Sequence, residues 1–349
     1  MLYKKGEIIM RTSTKILIIA AISLILVGSM IFGCVMLTLN WDITKLSTDK
    51  YETNEHEISE SFSSVSVVTE TASIVFLPSD NEKCSVVCYE EEKVKHSVSV
   101  KDDTLTVEAV NTKKWYEHIG INIGSPKITV YLPLSEYRDL YVKTNTGAVE
   151  IPKDFTFENI EITENTGSVK CYASASDSLK IKTTTGSVKC YASASGSLKI
   201  KTTTGSIRIE GVSANYIDLS VSTGKVTLSD TVCAGDVRVN VSTGNAELSG
   251  VSCKNLTSNG RTGGISLINV IATEKISVER STGSVKFSRS DASDILVKTD
   301  TGNVSGSLLS EKVFITSTDT GRIDVPKTAS GGRCEISTDT GNIIISIEE

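Results

Sequence analysis

A threonine-glycine pair recurs through the second half of this sequence at a nearly fixed interval, and that interval constrains the fold more than any other feature. The glycines are Gly147, Gly167, Gly186, Gly205, Gly224, Gly244, Gly263, Gly283, Gly302, Gly321 and Gly341, each 19 or 20 residues after the last. A period of this size signals stacked repeats, in which no single unit buries its own apolar face.

Around each glycine the residues alternate with period two. Two places after it stand Val149, Val169, Val188, Ile207, Val226, Ala246, Ile265, Val285, Val304, Ile323 and Ile343. Seven places before it stand Leu140, Ile160, Leu179, Leu198, Ile217, Val237, Leu256, Ile276, Ile295, Phe314 and Cys334. Lys, Ser, Thr, Glu and Asn fill the positions between, the signature of strands with one buried and one wet face. Two short strands per unit flank a turn, where glycine supplies conformations a side chain would forbid. A run of small residues such as Ala173-Ser174-Ala175-Ser176 closes the unit. The chain is therefore expected to be all-β, a parallel β-solenoid of about 19–20 residues per coil. A series of tight antiparallel hairpins is the competing arrangement. Constant period argues against it, because stacked coils need equal perimeters and hairpins do not. At about 4.8 Å between paired strands, eleven coils would make a rod on the order of 50 Å long.

Residues 167–185 and 186–204 are identical apart from Asp177 against Gly196. A chain that tolerates a copied coil uses a repeated surface or a length more readily than one unique catalytic geometry.

The front of the chain is different. Residues 16–39 carry no charge, and a helix of that length crosses a bilayer with some tilt to spare. Lys4, Lys5, Arg11 and Lys15 precede it against a single Glu7. The positive-inside rule then places residues 1–15 in the cytoplasm and the repeats outside. A cleaved signal peptide would have a shorter apolar core and a small-residue cleavage site. A lipoprotein signal is hinted at by Ile31-Phe32-Gly33-Cys34, but Phe32 is bulky for that motif and apolar residues continue past Cys34. Residues 40–57 read as a polar linker, 58–139 as irregular N-terminal coils and 140–349 as the regular solenoid.

The whole chain carries −6, which leaves about −9 beyond the helix once the basic tail is set aside. Nucleic-acid binding lacks the basic stripe it requires. Of the eight cysteines, Cys171 and Cys190 share one coil position, as do Cys233 and Cys253, and Cys334 replaces an aliphatic residue. Buried small apolar side chains account for these most simply. Stacked equivalents lie close enough for a bridge between Cys171 and Cys190, so that pairing stays open at this point. Cys84 and Cys88 face one way on a strand, too far apart to bond. His56, His96 and His118 show no zinc-ligand spacing with any cysteine.

Asp300, Asp319 and Asp339 each begin the Asp-Thr-Gly tripeptide of aspartic proteases. That chemistry needs two carboxylates facing across a two-fold arrangement and sharing a proton, which a same-side ladder does not give. Stacked like charges would favour a bound cation, so these three residues form a candidate calcium ladder. Tyr172 and Tyr191 occupy equivalent outward positions and could offer a glycan a stacking platform. The closing Ile343-Ile344-Ile345-Ser346-Ile347 is expected to leave an open strand edge, which invites end-to-end association.

One apolar helix, a polar spacer, an irregular strand region with Leu132-Pro133 and repeated strand-Thr-Gly-strand units resemble the bacterial "putative adhesin" β-strand-repeat family, which includes LiaG-like membrane proteins. The resemblance covers roughly residues 58–349 and implies a β-helix in the cell envelope, with no catalytic residue to carry over. The sequence thus points to a membrane-anchored, extracytoplasmic, non-catalytic adhesion or envelope-binding protein with no catalytic, cofactor or metal residue assigned. Its expected partners are the membrane and a cell-wall or host-surface glycan or protein. Envelope-stress sensing through a membrane partner is the alternative. A polysaccharide-processing β-helix enzyme would need inserted loops that coils of constant length do not provide.

Overall fold

The computed structural model describes residues 3–4, 7–8, 12–80, 82–118 and 123–348. The side chains of Lys4, Lys5, Glu7, Arg11, His118 and Glu349 lie outside the described residues. Two compact units emerge, one made of residues 1–51 and 113–124, the other of residues 52–112 and 125–349.

The first unit opens with a two-residue antiparallel pair, β1 (Tyr3–Lys4) and β2 (Glu7–Ile8), followed by α1 (Thr12–Thr38). The helix is apolar on every side, which suits a lipid surround rather than one packed face. It is long and apolar enough to cross a membrane, a test that an anchor and a signal sequence both pass. Short 3₁₀ turns at Ile43–Leu46 and Trp115–His118 also belong here, and Lys113 Nζ meets Asp49 Oδ2 at 2.9 Å.

The second unit begins inside the stretch read as a linker, with β3 (Tyr51–Ile58). Next come β4 (Ser64–Thr71), β5 (Ser73–Pro78), β6 (Cys84–Glu91), β7 (Val94–Lys101), β8 (Thr104–Asn111) and β9 (Lys127–Leu132). They are only partly coils. β4 and β5 lie parallel to β8 and β9, but β7 runs antiparallel to β8 and β6 antiparallel to β9. β3 then pairs with β6.

The regular stack follows with β10 (Glu136–Thr146), β11 (Val149–Ile151), β12 (Thr156–Cys171), β13 (Ser174–Cys190) and β14 (Ala194–Glu210). It continues through β15 (Ser213–Cys233), β16 (Asp236–Thr243), β17 (Ala246–Thr262), β18 (Ile265–Thr282) and β19 (Val285–Thr301). Each coil pairs in parallel with the coils on either side, residue on equivalent residue: Leu179 on Leu198, Ile217 on Val237, Val278 on Val297. This is the parallel solenoid, and its inward positions form one continuous apolar core.

The glycines hold the coils in contact. Gly205 has φ +145°, and a Cβ there would stand 1.8 Å from the carbonyl oxygen of Gly186 in the adjacent coil. Conformation and close approach therefore both demand glycine.

The chain ends with β20 (Val304–Leu308), β21 (Lys312–Thr320), β22 (Ile323–Asp324), β23 (Gly332–Thr340) and β24 (Ile343–Ile347). Their order in space is not their order in sequence. β23 lies between β19 and β21, and β24 between β20 and β22. The closing isoleucine segment is thus paired on both sides. This corrects the expectation of an open edge there: the outermost strands are β21 and β22. The other end shows the same inversion, because β4 and β5, first of the stack in sequence, lie between β10–β11 and β8–β9.

Candidate functional site

The stack presents two kinds of candidate site: its outer faces, and polar groups sealed inside it. On the outside, in-register pairing turns single side chains into ladders. Lys180 stands on Lys199, Lys182 on Lys201 and Lys189 on Arg208, all exposed. Among the described residues, only Lys180 of these lysines is drawn into an ion pair across coils, to Glu161 at 2.7 Å. Elsewhere ladders alternate in sign, as in Lys170–Glu150 and Lys275–Asp294, and Lys225 pairs diagonally with Glu247. Such exposed pairs contribute about 0–1 kcal/mol each. The Tyr172 and Tyr191 rings stack on one another with centroids 5.0 Å apart and nearly parallel planes. Tyr216 is flanked by Lys199 and Arg238 at 5.8 and 5.6 Å from its centroid.

Asp300, Asp339 and Asp319 are exposed and, by the register of their neighbours, stack in that spatial order. Their ligand atoms do not gather. Among the described residues, only Cys88, Glu90 and His96 bring three potential metal ligands within 4.8 Å of one another. Cys171 and Cys190 sit on adjacent coils as free thiols, which donate to the carbonyls of Ala173 and Ala192. Burial pushes the Cys190 thiol up to about 12. The cysteines from Cys84 onward are all buried and free.

Three buried polar features escaped the reading of the sequence. Glu164, 1% exposed, lies three before its glycine on the inward face, between Thr144 and Thr183. Neither carboxylate oxygen has a hydrogen-bond partner, and desolvation pushes its pKa up to about 7. Arg280 occupies the same column and fills the space that Gly260 leaves, donating from Nη2 to Ser258 Oγ at 2.8 Å. Burial lowers its pKa to about 10. The third is the Cys88, Glu90, His96 cluster at the N-terminal end. Strand alternation puts Cys88 and Glu90 on one face of β6, and the turn into β7 brings His96 beside them. A Cys-x-Glu pair before a tight hairpin was the available signal.

Residues 62–251 match the Toastrack DUF4097 family, and the chain belongs to it. No curated protein matches the sequence. Among solved structures, a "putative adhesin" of Parabacteroides merdae is similar at 12% identity and TM-score 0.47, over 74% of this chain and 97% of that one. A "putative adhesin" of Bacteroides fragilis is similar at 15% identity and TM-score 0.34, over 86% and 97%. A "putative cell adhesion protein" of Clostridium sporogenes is similar at 11% identity and TM-score 0.21, over 86% and 100%. The fold assignment rests on the strand register described above.

Proposed function

We propose that this protein is a membrane-anchored, extracytoplasmic solenoid that works without catalysis as an adhesion or envelope-binding module, and that its ligand is an anionic polymer or surface. One observation carries the reading. The duplicated coil stacks on its copy in register and repeats exposed lysines at Lys180 and Lys199 and at Lys182 and Lys201, while Lys189 on the other flank of the turn stands on Arg208 of the next coil. Along this segment the outer surface is basic, although the chain as a whole carries −6. Pairs of cations about 4.8 Å apart on neighbouring coils suit a polymer bearing closely spaced negative charge. The helix Thr12–Thr38 supplies the anchor, and Lys4, Lys5 and Arg11 before it, with Lys15 in its first turns, set the N-terminus inside.

The test is co-sedimentation of the full chain, reconstituted in nanodiscs, with isolated cell envelopes, purified anionic and neutral wall glycans and host-cell surfaces. Empty nanodiscs serve as the control. Saturable pelleting that weakens with salt and with Lys182→Glu plus Lys201→Glu supports the reading. Absence of pelleting with every surface contradicts it and favours regulation through a neighbouring membrane protein.

A further inference from the structure

We propose that Cys88, Glu90 and His96 form a site for a thiophilic divalent cation of the zinc class, which pins the antiparallel hairpin to the N-terminal end of the solenoid. The three side chains are almost fully removed from solvent, at 0%, 1% and 6% exposure. Their ligand atoms all lie within 4.8 Å of one another. Tetrahedral zinc with sulfur at about 2.3 Å and nitrogen or oxygen at about 2.0–2.2 Å holds its ligand atoms roughly 3.5 Å apart. Small side-chain rotations therefore suffice to close this set on an ion.

The surroundings are those of a ligand shell. His96 Nε2 is 2.9 Å from Thr69 Oγ1, which leaves Nδ1 turned toward Glu90 Oε2 at 2.6 Å. When Nε2 carries the ring proton to Thr69, Nδ1 and the carboxylate oxygen, which also accepts from the His96 backbone N–H at 2.6 Å, are two acceptors face to face, and a cation that draws them apart to its own ligand spacing resolves the conflict. Asn54 Nδ2 holds the other carboxylate oxygen at 2.7 Å. The same strand, β3, carries His56, whose buried Nε2 has no hydrogen-bond partner. It stands two residues beyond Asn54, and so on the same side of the strand. Its nitrogens fall outside the 4.8 Å group, so water is left for the fourth position. A mixed set of thiolate, imidazole and carboxylate selects zinc-like ions over calcium or magnesium.

The location gives the site a purpose. Every coil of the stack is held by neighbours of its own kind, whereas β6 and β7 attach antiparallel to the last parallel layer. Cys88 and Glu90 belong to β6, His96 to β7 and Thr69 to β4. One ion would therefore tie together both limbs of the cap.

The experiment is titration of the full-length, detergent-solubilised, reduced and chelator-treated protein with Co²⁺, followed by displacement with Zn²⁺. The expected result is one Co²⁺ per chain with thiolate-to-cobalt charge-transfer absorption, bleached by zinc. Cys88→Ala should abolish that absorption, and His96→Gln should weaken binding by about tenfold or more. Cys253→Ala, at a buried cysteine elsewhere in the stack, should leave both unchanged. Absence of thiolate absorption in folded wild-type protein overturns the proposal, leaving His96 and Glu90 as a hydrogen-bonded pair. Absorption that persists in Cys88→Ala overturns it too. Zinc-edge X-ray absorption on the wild type decides the matter if the variants do not fold. A shell of one sulfur with nitrogen and oxygen upholds the site, and a shell without sulfur rejects it.

Discussion

The two ends of the solenoid solve the same problem in opposite ways. Both invert the order of their outermost units, so that a segment from the chain's extremity is tucked between two others. At the N-terminal end the exposed layer of β8 and β9 is then covered by antiparallel β7 and β6, and β6 by β3. At the C-terminal end β21 has β23 on one side and, among the described residues, no strand on the other. There Val313, Ile315 and Ile323 are 38%, 49% and 42% exposed. Pro326, just past β22, limits how far that edge can extend, a common guard against pairing with another chain. A one-off cap with a polar interior thus closes one end, and a bare edge of nine-residue β21 and two-residue, proline-bounded β22 marks the other. Tucking in the terminal segment puts the frayed extremity of the chain under a full coil, which raises its local stability.

The largest effect that would sharpen this contrast lies in the middle, where every coil has two neighbours. Gly205→Ala places a methyl against the backbone of the adjacent coil at a φ alanine rarely adopts. It should cost about 3 kcal/mol or more, read by chemical denaturation. Gly211→Ala, with φ +67° and open space around it, should cost about 1 kcal/mol. Equal losses at the two sites would break the account of the glycine ladder.

Glu164→Thr restores the residue type of the flanking coils and should stabilise the protein in a pH-dependent way. Burial raises this carboxyl from 4.5 to about 7 in the folded chain, so folding favours the protonated form. Below pH 4.5 the group is neutral in both states and costs no ionisation penalty. As pH rises through 4.5 to 7 the unfolded state releases its proton first, and stability falls by on the order of 3 kcal/mol. The threonine variant should therefore gain most at pH 8 and lose that advantage below pH 4.5. A gain independent of pH would contradict the assignment.

Smaller effects concern the duplicated coil. Gly196 is the only position where the copies differ, and a Cβ there would sit 2.6 Å from the carbonyl oxygen of Asp177. Gly196→Asp, which makes the copies identical, should cost about 1–3 kcal/mol by thermal unfolding. Removing residues 186–204 altogether should cost about 1–3 kcal/mol, one coil's share of an additive stability, with no strain at the junction because it joins equivalent positions of like coils. The smallest change is expected at the bare end. Ile315→Lys should alter stability by about 0.5 kcal/mol or less. It should also reduce any end-to-end association seen by analytical ultracentrifugation.

Period and alternation made the stack legible, since inward Val, Leu and Ile recur at fixed offsets from a glycine that nothing else can replace. The end order was harder to read, because units of equal period compete for the same place. One signal was present: five residues before the glycine, where most coils hold Val, Ile or Leu, the Gly321 coil holds Thr316 and the Gly341 coil holds Ile336. The weaker unit lies outside. Polar residues in the core were illegible for a different reason. Glu164 and Arg280 stand in an inward column that holds threonine in many coils, such as Thr144, Thr183, Thr202, Thr299 and Thr338, so a polar residue there reads as outward, and Arg280 fits only because Gly260 sits in the next coil. Cys88, Glu90 and His96 meet through a hairpin, at a spacing that matches no familiar metal motif.

The inverted order of the last coils is the account's most exposed claim, and paired cysteines test it directly. Lys298 stands in register with Ser337, and Ser337 with Ser317. Cysteines at 298 and 337 should oxidise readily to an intramolecular disulfide, whereas cysteines at 298 and 317 should not. Coils stacked in order of sequence would give the reverse, a bridge between 298 and 317 and none between 298 and 337.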